Sequence, residues 1–88
     1  MNWYKIWCED GSDGGNAFVG SSQDSLEALV ARVSGGEYVR LDNLLYYDRG
    51  EIKDWDKWDK REVPMIYINP AKVLTIQQYK DDPRTLPR

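Results

Sequence analysis

An α+β fold is what the sequence predicts: an antiparallel, curved or barrel-like sheet of about six strands with one α-helix packed on it, in the order β-β-α-β-β-β-β. Three observations predict it. Short runs rich in β-branched and aromatic residues recur along the chain, separated by Gly, Asn, Asp and Pro punctuation. One segment alone carries a helical stripe. Short links between neighbouring runs favour antiparallel pairing, since parallel strands need long crossovers.

The first run, "NWYKIWC" (2–8), alternates faces. Tyr4, Ile6 and Cys8 form the core side, and Trp3, Lys5 and Trp7 form an aromatic face divided by a lysine. "EDGSDGGN" (9–16) is turn chemistry, with Gly free to take positive φ and Asp and Asn bonding their own backbone. "AFVGS" (17–21) is the returning strand.

In "SSQDSLEALVARVSGG" (21–36), Leu26, Leu29, Val30 and Val33 fall at i, i+3, i+4 and i+7, predicting a helix over 22–34. Asp24 with Glu27 fits a capping-box variant, Ser22 is a competing N-cap, and Gly35 and Gly36 end the helix. Such a short helix is marginal alone and must dock its stripe on the sheet.

"EYVRL" (37–41) and "LLYYD" (44–48) are read as two strands joined by a tight turn at Asp42–Asn43. "PMIYIN" (64–69) and "KVLTIQQY" (72–79) flank an Asn69–Pro70 turn, where proline cannot donate to a ladder. The tail 80–88, with two prolines and no periodicity, is expected to be loose beyond a single domain spanning 1–79.

With 88 residues the chain has room for one domain. A chain this short buries only roughly 60% of the surface its unfolded form exposes. Yet it carries four Trp, six Tyr and one Phe, so some rings must lie near the surface, the composition of an interface. The net charge of −3, with basic residues scattered, argues against capture of DNA or RNA. The single Cys8 has no internal disulfide partner, and the chain shows no secretory h-region and no membrane-length apolar run; cytoplasmic placement is the expectation. Histidine is absent, which removes the commonest general base and transition-metal ligand.

Residues 49–62, "RGEIKDWDKWDKRE", place Trp55 and Trp58 three apart within a charged run. At that spacing both rings share one side of a helical turn. Aromatics rimmed by charge have the composition of an interface hot spot; a lid folded over an open end of the sheet is the favoured and compatible reading. Trp55 and Trp58 are therefore candidate partner-binding anchors, with Trp3 and Trp7 as the adjoining face. A second constellation comprises Tyr38, Arg40, Tyr46, Tyr47 and Arg49. Stacking rings plus a guanidinium fork hold a planar, phosphate-bearing ligand, so Tyr38, Arg40, Tyr47 and Arg49 are candidate contacts for a nucleotide-like molecule; ordinary cross-strand Tyr–Arg packing is the favoured explanation.

Other constellations fail on chemistry. Gly15 and Gly20 have the spacing of a phosphate loop, but Ser21 stands where its lysine should be. A bare anion site at the helix N-terminus is opposed by Asp24 and Glu27. Glu9, Asp10 and Asp13 do not make a calcium loop, because the twelfth position from Asp10 is Ser21 rather than glutamate. Cys8 has no histidine to activate it and reads as a small buried apolar residue. No metal or cofactor and no catalysis are expected.

"IYINPAKVLTIQ" (66–77) resembles the ending of small flagellar FlbD-type proteins, with a strand, an Asn-Pro turn and a strand of spaced isoleucines. "EYVRL" followed later by "YIN" resembles the LytTR type of DNA-binding domain, though without the basic loops that DNA contact requires. Neither resemblance carries a site residue into this chain. The expected function is a small non-enzymatic inhibitor or adaptor that recognises a protein partner or itself, with exposed edge strands favouring homo-oligomers. The alternatives are an oligomeric protein sequestering a nucleotide-like ligand, and a structural subunit of a phage-type or bacterial assembly.

Overall fold

Alternating side chains set the architecture, which was obtained as a computed structural model describing residues 1–9, 16–48, 51–54 and 65–85. The elements in chain order are β1 (Asn2–Cys8), β2 (Asn16–Ser22), α1 (Leu26–Ser34), β3 (Val39–Asp48), β4 (Glu51–Asp54), β5 (Met65–Ile68) and β6 (Val73–Gln78), with 3-10 turns at Pro70–Lys72 and Pro83–Thr85. The fold is α+β, one helix on an antiparallel sheet, and the element order is the expected one. The turn predicted over 9–16 lies outside the described residues except at its ends, as do positions 49–50 and 55–64.

The partition of strands differs from the sequence reading. Asp42–Asn43 is not a turn, because β3 runs unbroken through it. Asn43 takes φ 50°, and between Val19 and Ser21 the ladder slips so that Asn43 and Leu44 together oppose Gly20 alone. The slip is a β-bulge, and its purpose lies in the residue pattern. Leu41 and Leu44 are three apart and would face opposite ways in a regular strand. The extra residue turns both into the core, where both are buried. A second slip, at Trp7–Cys8 against β6, does the same for Val73 and Ile76.

The sheet has five lanes rather than six. The hydrogen-bonded order is β4-β3-β2-β1-β6, and β5 also pairs β3. Both β4 and β5 lie along β3, β4 against Leu45–Asp48 and β5 against Val39–Asp42, each antiparallel. They are two halves of one lane. Strand β4 arises within the charged run, where no strand is expected from sequence.

β5 and β6 also do not pair with each other. They occupy opposite edges, β5 beside β3 and β6 beside β1. Four lane spacings of about 4.8 Å would separate those edges by roughly 19 Å in a flat sheet. Only Asn69 and the 3-10 turn Pro70–Lys72 join them, at about 2 Å per residue. The sheet must therefore curl towards a barrel, and α1 packs across β6, the Pro70–Lys72 turn and β3 to close it.

The interior holds Tyr4, Ile6, Cys8, Leu29, Val39, Leu41, Leu44 and Ile68, with Phe18, Leu26, Val33, Ile66, Val73 and Ile76 packed against them. The expected inward face of β1 is thus the core face. From the helix stripe Leu26, Leu29 and Val33 dock, while Val30 stays exposed at its margin. The helix begins later than predicted. Ser22 still pairs with Asn2 in the sheet, its hydroxyl accepts from the Asp24 amide, and Ser25 is the N-cap, accepting from the Ala28 amide at 3.1 Å. Of the two terminal glycines only Gly36 is left-handed, at φ 76°.

On the outer face Trp3, Val19 and Leu45 form a second cluster with Tyr79 against it. Residues 79–85, expected to be loose from Lys80 onward, lie across it. The Tyr79 amide donates to the Trp3 carbonyl at 2.9 Å, Pro83 is buried, and the Arg84 guanidinium sits 4.6 Å from the Trp3 ring centroid. Asp82 accepts from both Arg84 Nε and Nη2, which keeps its carboxyl below the usual carboxylate range. Trp3 is covered by chain rather than open to a partner: only 6% of it is exposed.

Candidate functional site

The surface feature with most chemistry lies at the rim where α1 joins the sheet. Strand alternation turns Val39 and Leu41 inward, and therefore Tyr38, Arg40 and Asp42 outward. Ile66 and Ile68 do the same for Tyr67, the register partner of Arg40. The β2–α1 link brings Asp24 to this end, and α1 contributes Arg32 from the flank of its apolar stripe. These residues line a groove of about 470 Å³.

Two ion pairs organise it. Arg40 Nε and Nη2 both lie 3.0 Å from Asp42 Oδ1. Arg32 Nε lies 2.9 Å from Asp24 Oδ2, with Glu37 Oε2 3.6 Å from Nη1. In each pair the arginine stands further into solvent than its carboxylate: 53% against 39% for Arg40–Asp42, and 46% against 35% for Arg32–Asp24. Asp42 first, and the Tyr67 hydroxyl second, hold the Arg40 guanidinium still more firmly protonated than usual. Tyr38 and Tyr67 are each 57% exposed, well above what a packed ring shows.

Asp24 is tied down on its backbone side. Its carbonyl accepts from the Tyr4 hydroxyl at 2.6 Å and from Asn2 Nδ2 at 3.1 Å. Tyr4 is fully buried, so this bond satisfies its polar tip and fixes the entry to α1 over β1. Burial, and then the Asp24 charge, push the Tyr4 hydroxyl pKa up. Asp42 is held likewise, its carbonyl accepting from the buried Ser21 hydroxyl at 3.3 Å.

Of the residues singled out from sequence, the structure brings Tyr38 and Arg40 together in this groove. The Tyr47 side chain and Arg49 lie outside the described residues, as do Trp55 and Trp58. Trp7 is half-buried on the outer face of β1, its indole Nε1 donating to Gln77 Oε1 at 3.3 Å and Lys5 Nζ 4.8 Å from the ring centroid. The groove adds Arg32, Tyr67, Asp24 and Asp42, which sequence reasoning did not connect to it. Their outward placement follows from alternation and helical phase, but their convergence depends on the pairing of β5 with β3.

Among the described residues no cluster of three His, Cys, Asp or Glu side chains could hold a metal ion, and no helix is long and apolar enough to cross a membrane. No protein-family model, no curated protein and no solved structure matches the chain.

Proposed function

We propose that this chain is a small, non-enzymatic binding domain, an inhibitor or adaptor of the cytoplasm, and that it grips a protein partner at the groove. One observation carries the reading: two half-exposed tyrosines and two arginines converge on one recess. Tyr and Arg are the residue types enriched where binding energy concentrates. Rings fixed on strands lose little freedom on binding, and arginines already oriented by carboxylates lose less still. The groove's carboxylates are both engaged with arginine, which suits recognition better than proton transfer. Trp55 and Trp58 enter this reading by composition, and Trp7 by the part of its ring left uncovered.

The test compares capture of host proteins by wild-type chain and by a Tyr38→Ser/Tyr67→Ser variant whose unfolding curve matches wild type. Loss of the captured partner is expected. An unchanged set of captured proteins would rule the groove out. Light scattering during the same work shows whether the partner is a second copy.

A second reading is favoured by the meeting of Tyr38 with Arg40: capture of a planar, nucleotide-like ligand. The groove's volume falls within the roughly 300–1,000 Å³ of small-molecule sites. A thermal-shift screen against mononucleotides and cyclic nucleotides addresses it, since ligand at about 100 times its Kd adds roughly 2.7 kcal/mol.

A further inference from the structure

We infer that the groove receives a carboxylate from an acidic peptide segment of the partner, taken on the terminal edge of Arg40 between Tyr38 and Tyr67. The inference rests on the reading of this groove as the recognition surface.

The geometry of Arg40 leads to it. A guanidinium has two forks: a side fork made by Nε and Nη2, and a terminal fork made by Nη1 and Nη2. Asp42 takes the side fork, and with one oxygen only, Oδ1. Among the described residues no carboxylate meets the terminal fork. The planar fork matches a carboxylate with two parallel bonds, the strong form of this contact. Asp42 behind Arg40 fixes its direction in advance, so a second carboxylate arrives at a donor already aimed.

The flanks suit the same ligand. Tyr38 stands two residues before Arg40 on the same face, and Tyr67 is its cross-strand neighbour. Each is 57% exposed, and the Tyr67 hydroxyl already meets the Arg40 guanidinium. Either hydroxyl can donate to a carboxylate, and either ring can cover the aliphatic stem of a glutamate.

Charge decides between a carboxylate and a phosphate. Arg32 and Arg40 are already met by Asp24 and Asp42, and Glu37 stands 3.6 Å from Arg32. A single negative charge meets the guanidinium that stands foremost, while a dianionic phosphate brings a second charge towards two carboxylates in the same recess.

The experiment is an NMR titration of the full chain, reading the Arg40 Nε–H signal and the Arg40 and Tyr67 amides. The probes are three peptides identical except at one position, which is Glu, Gln or Lys, and AMP. Only the Glu peptide is expected to move these signals. Its affinity should fall with added salt and drop about tenfold in Arg40→Gln, with only part of the loss restored in Arg40→Lys. Equal shifts from the Gln or Lys peptides would overturn the carboxylate while leaving the groove as the binding surface. Saturation by AMP with the Glu peptide silent would overturn it in favour of a phosphate ligand. If no probe moves the groove signals, the inference fails. The reading beneath it then stands only if the Tyr38→Ser/Tyr67→Ser variant still loses its captured partner.

Discussion

Replacing Gly20 with alanine tests the link between the sheet's packing and the groove. An added Cβ would lie 2.8 Å from the Asp42 carbonyl oxygen, 3.1 Å from Leu41 Cβ and 3.3 Å from Leu44 Cδ2. The nearest atom is backbone in the bulge of β3, so relief requires the strand itself to move. Overpacking of this kind costs about 1–3 kcal/mol. Alanine offsets roughly 0.4–1 kcal/mol of that by restricting the unfolded chain. The net expectation is about 1–2 kcal/mol of destabilisation, or a Tm lower by roughly 5–15 °C for a domain of this size. Thermal unfolding followed by far-UV circular dichroism reads the change. Because the displaced carbonyl belongs to the residue that orients Arg40, the Arg40 Nε–H signal should shift as well. A Tm equal to or above wild type, with that signal unmoved, would show that β2 and β3 are not as close as described and refute the bulge argument.

Ser25→Ala removes the hydroxyl that caps α1 and should cost about 1 kcal/mol by urea unfolding, whereas Ser22→Ala does not remove that cap. Arg84 holds the Asp82 carboxyl below its unfolded value, so the pair's contribution to stability is present above about pH 4 and is lost as pH falls through the lowered folded value. The Trp3 indole signal should therefore change on acidification below the usual carboxylate range, and Asp82→Asn should remove that step. Burial pushes the Cys8 thiol pKa up, so alkylation by iodoacetamide at neutral pH should be slow in the folded chain and fast in urea; rapid labelling of the folded chain would contradict the inward face of β1.

The parts that sequence foretold are those governed by local rules. Alternation placed Tyr4, Ile6 and Cys8 inside, helical phase placed Leu29, and Asn69–Pro70 ended a strand where it should. Local rules failed at Asp42–Asn43, whose composition suits a hairpin turn and a bulge alike. Only the need to bury both Leu41 and Leu44 tells them apart. Strand β4 escaped notice because three of its four residues are charged and no apolar alternation marks it. For the groove, Tyr38 and Arg40 were visible as a same-face pair. Tyr67 and Arg32 were not, because they join them through pairing across some thirty residues of chain and through the docking of a helix.

The interrupted outer lane has a consequence for how this protein can change. Between Asp54 and Met65 the chain runs through ten residues, 55 to 64, while the strand beside it advances only from Leu45 to Asp42, about 10 Å. Both ends of that gap are pinned by backbone bonds to the same neighbour. Such a point is a natural graft position: a cassette there can be shortened, lengthened or exchanged without asking the rest of the scaffold to re-register. An exchange confined to 55–64 leaves the pairings of Asp54 with Leu45 and of Met65 with Asp42 in place.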